Sequence, residues 1–242
     1  FMRAEWLATP QGQLLASQPV IDVQKIAAGQ PVPFEPATTP LANLRVFDFT
    51  HVLAGPYATR SLAKYGADVL HVSSPYHADT LAQHLGVDIG KHNAYLNLDL
   101  AHDQQVGRQL REDADVIVSS YRQRVNQKFN LFANRQPRQK GQIFVEISAF
   151  GSTGPWHQRA GFDQNGQVVS GFAMTEGHNR IPRFSPVFYL NDLLTGHLAT
   201  IGILAALLKR SQDGGSYRVR VNLARTAMWV ESLGLVDDQQ IQ

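Results

Sequence analysis

The sequence predicts an α/β domain of Rossmann type, a parallel sheet flanked by helices. Short β-rich runs recur at Arg45–Phe49 and at residues 69–72, 115–118 and 142–148. Helical stretches separate several of them, and strands alternating with helical stretches of about 10–15 residues indicate βαβ units. The third observation is a long amphipathic helix at residues 191–210, followed by a run of alternating polarity at 217–223.

Taken in order, residues 1–43 carry Pro10, Pro19, Pro31, Pro33, Pro36 and Pro40. Proline fixes φ and removes a donor, so residues 29–40 read as an extended linker. Residues 4–18 look like a helix followed by a short strand, and the whole segment is expected to be an N-terminal arm outside the core. From residue 44 to 242 the chain reads as one large domain, C-terminally incomplete. In it, Arg45–Phe49 is the first strand, and residues 56–65 form a helix with Pro56 in its first turn and Gly66 to stop it. Residues 103–113 are a polar helix before the strand at 115–118. In the helix at 191–210, Leu193, Leu194, His197, Leu198, Ile201, Leu204, Ala205 and Leu208 fall at i, i+3, i+4 spacing. Gly214 and Gly215 follow its end. Residues 217–223 then read as a half-exposed strand. The chain opens without Met and closes on Asp237-Asp238-Gln239-Gln240-Ile241-Gln242, so a fragment, or one piece of a processed or tandem protein, is expected.

Composition removes several classes of function. Hydrophobic residues make up 43% of the 242 and charged residues 17%, enough apolar content for a core. The formal net charge of +2, with scattered basic residues, gives no case for nucleic acid as the main partner. Without cysteine there is no disulfide, thiolate metal site or Cys nucleophile. Residues 1–6 lack the pattern of a signal peptide. The longest apolar stretch, residues 201–208, falls far short of the ~20 residues that span a bilayer. A soluble, cytoplasmic protein is expected, with no membrane partner. The nine histidines show no H-E-x-x-H or H-x-x-H spacing, so no metal is expected, and no G-x-S-x-G anchors a serine triad.

The turn Thr50-His51-Val52-Leu53-Ala54-Gly55-Pro56 lacks G-x-G-x-x-G, and the chain has no G-x-x-x-x-G-K-[ST]. Dinucleotide and nucleoside-triphosphate binding are therefore not expected. The turn still delivers free amides of residues 53–58 at a helix N-terminus, where an anion or oxyanion is stabilised. The plainer reading is an ordinary strand-to-helix turn with Gly55 for tight packing. Further on, the loop Gly151-Ser152-Thr153-Gly154-Pro155 leads through Gly161 and Phe162 to Asp163, which opens the helix Asp163–Ser170. A carboxylate just beyond a strand's carboxyl edge lies where α/β sheets place ligands. A cap for that helix is the alternative.

Together these segments resemble a known family. Leu-Arg-Val-Phe-Asp-Phe-Thr-His-Val-Leu-Ala-Gly-Pro-Tyr-Ala-Thr-Arg, from Leu44 to Arg60, resembles the opening motif of family III CoA-transferases. This is the carnitine and bile-acid-inducible group, whose superfamily includes formyl-CoA transferase and α-methylacyl-CoA racemase. Gly66-Ala67-Asp68-Val69, Gly90-Lys91-His92-Asn93, Phe150 to Pro155, Gly161-Phe162-Asp163, Asn191-Asp192 with Thr195-Gly196, and Gly202 to Leu207 with Arg210 follow in the family's order. The likeness runs from Leu44 to about Val230.

The resemblance implies that Asp163 is the catalytic carboxylate. It would attack an acyl-CoA thioester, pass through a mixed anhydride and an aspartyl-CoA thioester, and yield CoA to an acceptor acid. Proximity and partial desolvation make a carboxylate competent for such attack. The resemblance places Val52, Leu53, Ala54, Lys91, Tyr121, Arg122 and Lys128 at the CoA site. Where the family usually has Asn-Phe-Arg-Pro-Gly, this chain has Ser120-Tyr121-Arg122-Gln123-Arg124, keeping the aromatic and the Arg but losing the Pro-Gly turn. No permanent cofactor is implied; the CoA thioester is the substrate. The partners implied are acyl-CoA, a carboxylic acid, and either an interlocked homodimer mate or a second transferase half. Two alternatives stand beside transfer. A racemase needs a His and Asp pair, and residues 130–150 contain no His. A non-catalytic CoA-binding half of a tandem protein is the other.

Overall fold

The computed structural model describes residues 1–76, 79–132, 141–177 and 181–234. In chain order the elements are α1 (Arg3–Ala8), α2 (Pro10–Ala16), β1 (Asp22–Ala27), β2 (Arg45–Phe49), α3 (Ala54–Lys64), β3 (Asp68–Ser73), α4 (Leu81–Val87) and β4 (His92–Tyr95). There follow α5 (Ala101–Asp113), β5 (Val116–Ser119), α6 (Gln123–Lys128), β6 (Ile143–Ser148), α7 (Asp163–Ser170), α8 (Phe172–Thr175), α9 (Leu190–Asp213), β7 (Ser216–Asn222) and α10 (Leu223–Ser232).

The sheet runs β1-β7-β6-β5-β2-β3-β4. Every pair from β7 to β4 is parallel, and only β1 runs antiparallel to β7. This is the doubly wound order: the chain leaves β2 toward β3 and β4, then returns to the other side for β5, β6 and β7. The reversal between β2 and β5 opens a crevice at their carboxyl ends, where such sheets hold ligands.

Parallel strands covered on both faces are buried on both faces. Val116, Ile117, Val118, Ile143, Val145 and Val219 have no exposed surface. The larger core joins Val46, Val116, Val118, Val145 and Val219 to Leu62 of α3 and to Ala199, Ile203 and Leu207 of α9. The opposite face of the sheet, with Phe47, Phe49, Ile117 and Phe144, is covered by Leu110 of α5 and Val125 of α6. The predicted helices and parallel strands after residue 44 all appear; Arg45–Phe49 and Asp163–Ser170 have the expected bounds and the others agree within three residues at their ends. α9 is long and apolar enough to cross a membrane, yet 61% of its most apolar window is buried, as befits a core helix.

Three expectations are corrected. The short strand expected within residues 4–18 is replaced by α2, which runs to Ala16. The arm is part of the core: Trp6 and Leu15 have no exposed surface and join the larger cluster, and β1 forms the sheet edge. Residues 217–223 are not half-exposed, because β7 lies between β1 and β6 and only Arg218 and Arg220 keep partial exposure. Residues 31–37 have no regular structure, as their prolines predict. The closing run 237–242 lies outside the described residues.

Candidate active site

The crevice between β2 and β5 opens into a groove of about 850 Å³ lined by the carboxyl ends of β2, β5 and β6 and the loops after them. Tyr121, Arg122 and Lys128 line it, as do Gly151, Ser152, Gly161 and Phe162. At the crevice itself the His51 amide donates to Ser120 Oγ at 3.0 Å. The His51 and Tyr121 rings meet edge-on, with centroids 4.5 Å apart. Burial, then the charges of Asp79 and Asp48, push the Tyr121 hydroxyl up to about 12, so it stays a neutral donor at physiological pH.

Asp163 is the first residue of α7, behind Phe162. It does not cap its own helix; Asn165 Oδ1 there accepts the Phe162 amide at 2.9 Å. Asp163 Oδ1 instead accepts from Gln167 Nε2, one turn on, and Oδ2 accepts the Asp192 amide at 2.9 Å. Asp192 is the third residue of α9, whose N-cap Tyr189 is left-handed and gives no side-chain cap. Asp163 therefore satisfies one of α9's orphan amides, where the helix dipole favours negative charge. Gln167 is fixed in turn by the Ser185 amide, which donates to its Oε1 at 2.9 Å. Asp163 is 1% exposed, and no cation pairs with it among the described residues.

A second carboxylate lies beside it. Burial, and then the charge of Asp163, raise Asp192 to about 7. The neighbouring Asn191 is buried with both amide atoms unpaired among the described residues, and its Nδ2 would lie 2.4 Å from a Cβ on Gly166. Glycine in α7 thus lets α9 approach closely.

The Thr50–Ala54 turn meets the same helix. A Cβ on Gly196 would stand 2.7 Å from the Ala54 carbonyl, so α3 and α9 touch one turn beyond Asp192. Four residues of helix span about 6 Å, so the turn's amides and Asp163 flank one short stretch of α9. Leu53 is the N-cap of α3 and Ala54 its first residue, so their amides fall among those the helix cannot satisfy. Val52 holds φ +67°, a strained setting for a β-branched residue. Its amide is already engaged by Asp79 Oδ2 at 2.8 Å.

The expected CoA-site residues thus divide. Tyr121, Arg122 and Lys128 share the groove. Arg122 is exposed, and Lys128 pairs with Asp99 at 2.8 Å at the surface. Val52, Leu53 and Ala54 stand behind the groove wall at His51. Lys91 is elsewhere: its side chain has no exposed surface, and its ammonium donates to Asp48 Oδ2 and to the Pro56 carbonyl, both at 2.9 Å. Its charge is directed at Asp48 and the first turn of α3, outside the groove lining. Asp48, Gln167, Asp192 and Asp79 were not anticipated as site residues. The i, i+4 spacing of Asp163 and Gln167 is visible in the sequence; the other three meet the site only through tertiary contacts.

A model of CoA-transferase family III matches residues 41–239. The chain belongs to this family. It is 38% identical over 207 residues to the acetyl-coenzyme A transferase nodX of Hypoxylon pulicicidum, covering 82% of this chain and 35% of that protein. It is 31% identical over 201 residues to the succinyl-CoA–L-malate CoA-transferase beta subunit of Chloroflexus aurantiacus, covering 74% and 48%. Among solved structures, the orthorhombic form of Rv3272 from Mycobacterium tuberculosis superposes with a TM-score of 0.70 at 27% identity, over 82% of this chain and 57% of that one. The chain thus spans between about a third and three-fifths of the length of these family relatives.

Proposed function

We propose that this chain carries the nucleophile and the acyl-CoA groove of a transferase that moves CoA from an acyl-CoA to a carboxylic acid. The observation that carries the reading is Asp163: a buried carboxylate held by two neutral donors, with no cation to quench it, next to the groove residue Phe162. An Asp163 oxygen would attack the thioester carbonyl, and the C–S bond would break to release CoA thiolate and leave an aspartyl anhydride. The thiolate would return to the aspartyl carbonyl, releasing the donor acid as carboxylate and leaving an aspartyl-CoA thioester. An acceptor carboxylate would displace the thiolate again to form a second anhydride. Thiolate attack on its acyl carbon then gives the new acyl-CoA and restores Asp163. The net reaction exchanges one CoA thioester for another, so no outside energy is required. The amides of Leu53 and Ala54 would stabilise the tetrahedral oxyanion.

The groove suits CoA, with Arg122 and Lys128 for its phosphates and Tyr121 as an aromatic wall. For partners we propose a second copy of this chain or another transferase half. The exposed Phe184, Val187 and Phe188 support this, as does the similarity to a relative named as a subunit. No histidine of the described site stands against Asp163, which favours transfer over a two-base racemase.

The test is covalent trapping. The longest natural form of the polypeptide is incubated with a panel of acyl-CoAs and hydroxylamine, and Asp163 peptides are read by mass spectrometry. Asp163→Asn, which keeps an acceptor for α9, is the control. A CoA adduct or hydroxamate on Asp163, absent from the control, is expected. Solvent deuterium at the α-carbon with no adduct would replace this reading by racemisation. CoA binding with neither signal would leave a non-catalytic half.

A further inference from the structure

Beneath the Thr50–Ala54 turn lies a closed set of buried charges outside the groove. Asp48, at the end of β2, accepts from Thr50 Oγ1 and Thr59 Oγ1, each at 2.5 Å, as well as from Lys91. Lys91 Nζ also donates to the Pro56 carbonyl in the first turn of α3, and lies 3.7 Å from Asp88 Oδ1. His71 Nε2 faces the Thr50 carbonyl at 3.1 Å, while its Nδ1 faces Asp88 Oδ1 at 3.1 Å. Both ring nitrogens meet acceptors, so His71 is an imidazolium donating on two sides. Burial opposes that charge, yet Asp88 and Asp48 outweigh it and lift His71 to about 9.

His71, His84 and Asp88 bring ligand atoms within 4.8 Å of one another, the spacing a metal would need. Two observations count against a metal there. His71 Nδ1 is already hydrogen-bonded to Asn93 Oδ1 at 3.1 Å, and an ammonium stands 3.7 Å from Asp88 Oδ1. The set is instead balanced by its own charges, Asp48 and Asp88 against Lys91 and His71.

What these groups hold is the strand-to-helix turn. Asp48 grips Thr50 at one end and Thr59 within α3, Lys91 grips Pro56, and His71 grips the Thr50 carbonyl. Between those grips lie Val52 in its left-handed conformation and the free amides of Leu53 and Ala54. We infer that Lys91 and Asp48, backed by His71, are positioning residues that aim the Leu53 and Ala54 amides at the reacting carbonyl. The inference rests on the proposed transfer reaction for its catalytic consequence. It assigns Lys91 a task distinct from CoA phosphate binding, and the two tasks separate experimentally.

The experiment compares Lys91→Met, Asp48→Asn and the double variant with the parent, in the longest natural polypeptide. It measures kcat with acyl-CoA, Kd for CoA and for dephospho-CoA, and amide hydrogen exchange across residues 50–58. Losing an oxyanion donor costs on the order of 100-fold in kcat, so each single variant should lose roughly that. Kd for CoA should stay within about 2-fold, because Lys91 does not meet the ligand. The double variant should fall no further than the worse single, since the two act as one unit. Amides 53 and 54 should exchange faster while β5 and β6 keep their protection.

A rise in Kd of about 10-fold or more for CoA, with kcat retained, would return Lys91 to phosphate binding and overturn the inference. So would unchanged exchange at residues 53 and 54. Should Lys91→Met fail to fold, Thr59→Val, which removes one Asp48 partner, provides the same readouts at smaller amplitude. A parent that turns over no acyl-CoA, with amides that still respond to Lys91→Met, would sink the proposed reaction and leave the positioning of the turn standing.

Discussion

Asp163 and Asp192 lie against each other through a backbone amide, and a second charge at Asp192 is opposed. Burial and the neighbouring Asp163 charge raise Asp192 to about 7, against an ordinary value near 3.9. A carboxyl raised on folding binds protons more tightly in the folded state. Its contribution is therefore whole below about pH 4 and is lost as pH climbs through 7. Three pKa units correspond to about 4 kcal/mol, a ceiling for this group. Asp192→Asn keeps the shape, and its backbone amide still reaches Asp163, but it removes the titration. The variant's stability advantage over the parent should thus grow between pH 5 and pH 8, by on the order of 2–3 kcal/mol. Urea melts at the two pH values measure this. An advantage equal at both would show that Asp192 does not titrate between them, and the buried pair would need another account.

At the scale of elements, the first 27 residues carry more than their composition suggests. Trp6 has no exposed surface, its indole lies 5.3 Å from that of Trp156, and its Nε1 points at Met228 Sδ at 3.2 Å. Gln11, from α2, donates to the carbonyls of Phe150 and Thr153 and accepts the Trp156 amide. The arm thereby clamps the glycine loop that leads from β6 to Asp163; Gly151 and Gly154 there hold positive φ. Trp6→Ala should cost about 3–5 kcal/mol, the range for truncating a buried aromatic. Gln11→Leu should cost at least about 2 kcal/mol, since each orphaned buried group costs about 1–3. Thermal melts decide both, and changes under about 0.5 kcal/mol would mean that the arm is a detachable tail.

The contrast between arm and sheet shows what was legible. The parallel strands and α9 declared themselves through apolar runs and i, i+3, i+4 spacing, signals that belong to a chain segment on its own. Gln11 and Trp6 are polar or isolated in the sequence, and their burial depends on partners about 140 or more residues away. The charge set under the turn was unreadable for the same reason. Asp48, His71, Asp88 and Lys91 come from separate segments of a β-α-β unit, and their mutual neutralisation exists only after β2, β3 and β4 align. The family resemblance points Lys91 toward CoA, whereas its enclosure by Asp48 and Pro56 depends on contacts that no single segment carries. Asp163, by contrast, can be singled out from the sequence because its motif, its strand edge and its helix start coincide.

On the scale of the whole molecule, the doubly wound order itself is what makes a binding site. The chain leaves β2 and β5 toward opposite sides of the sheet, and every loop reaching the groove leaves from their carboxyl edge. No β1 residue lines the groove, so ligand protection should be lopsided. With CoA bound, amide exchange should slow at residues 51–54, 120–128 and 151–162, and remain unchanged in β1 and in the last two turns of α9. A ligand that binds only the folded state stabilises it by about 2.7 kcal/mol when present at 100 times its Kd. The melting temperature should therefore rise steadily with CoA concentration. Arg122→Ala should weaken that response, because it removes the groove guanidinium proposed to meet a CoA phosphate, while Arg220→Ala, on β7 beside Glu146, should leave it intact. Protection appearing equally at β1, or a melting temperature indifferent to CoA, would mean that the crevice between β2 and β5 does not hold the nucleotide.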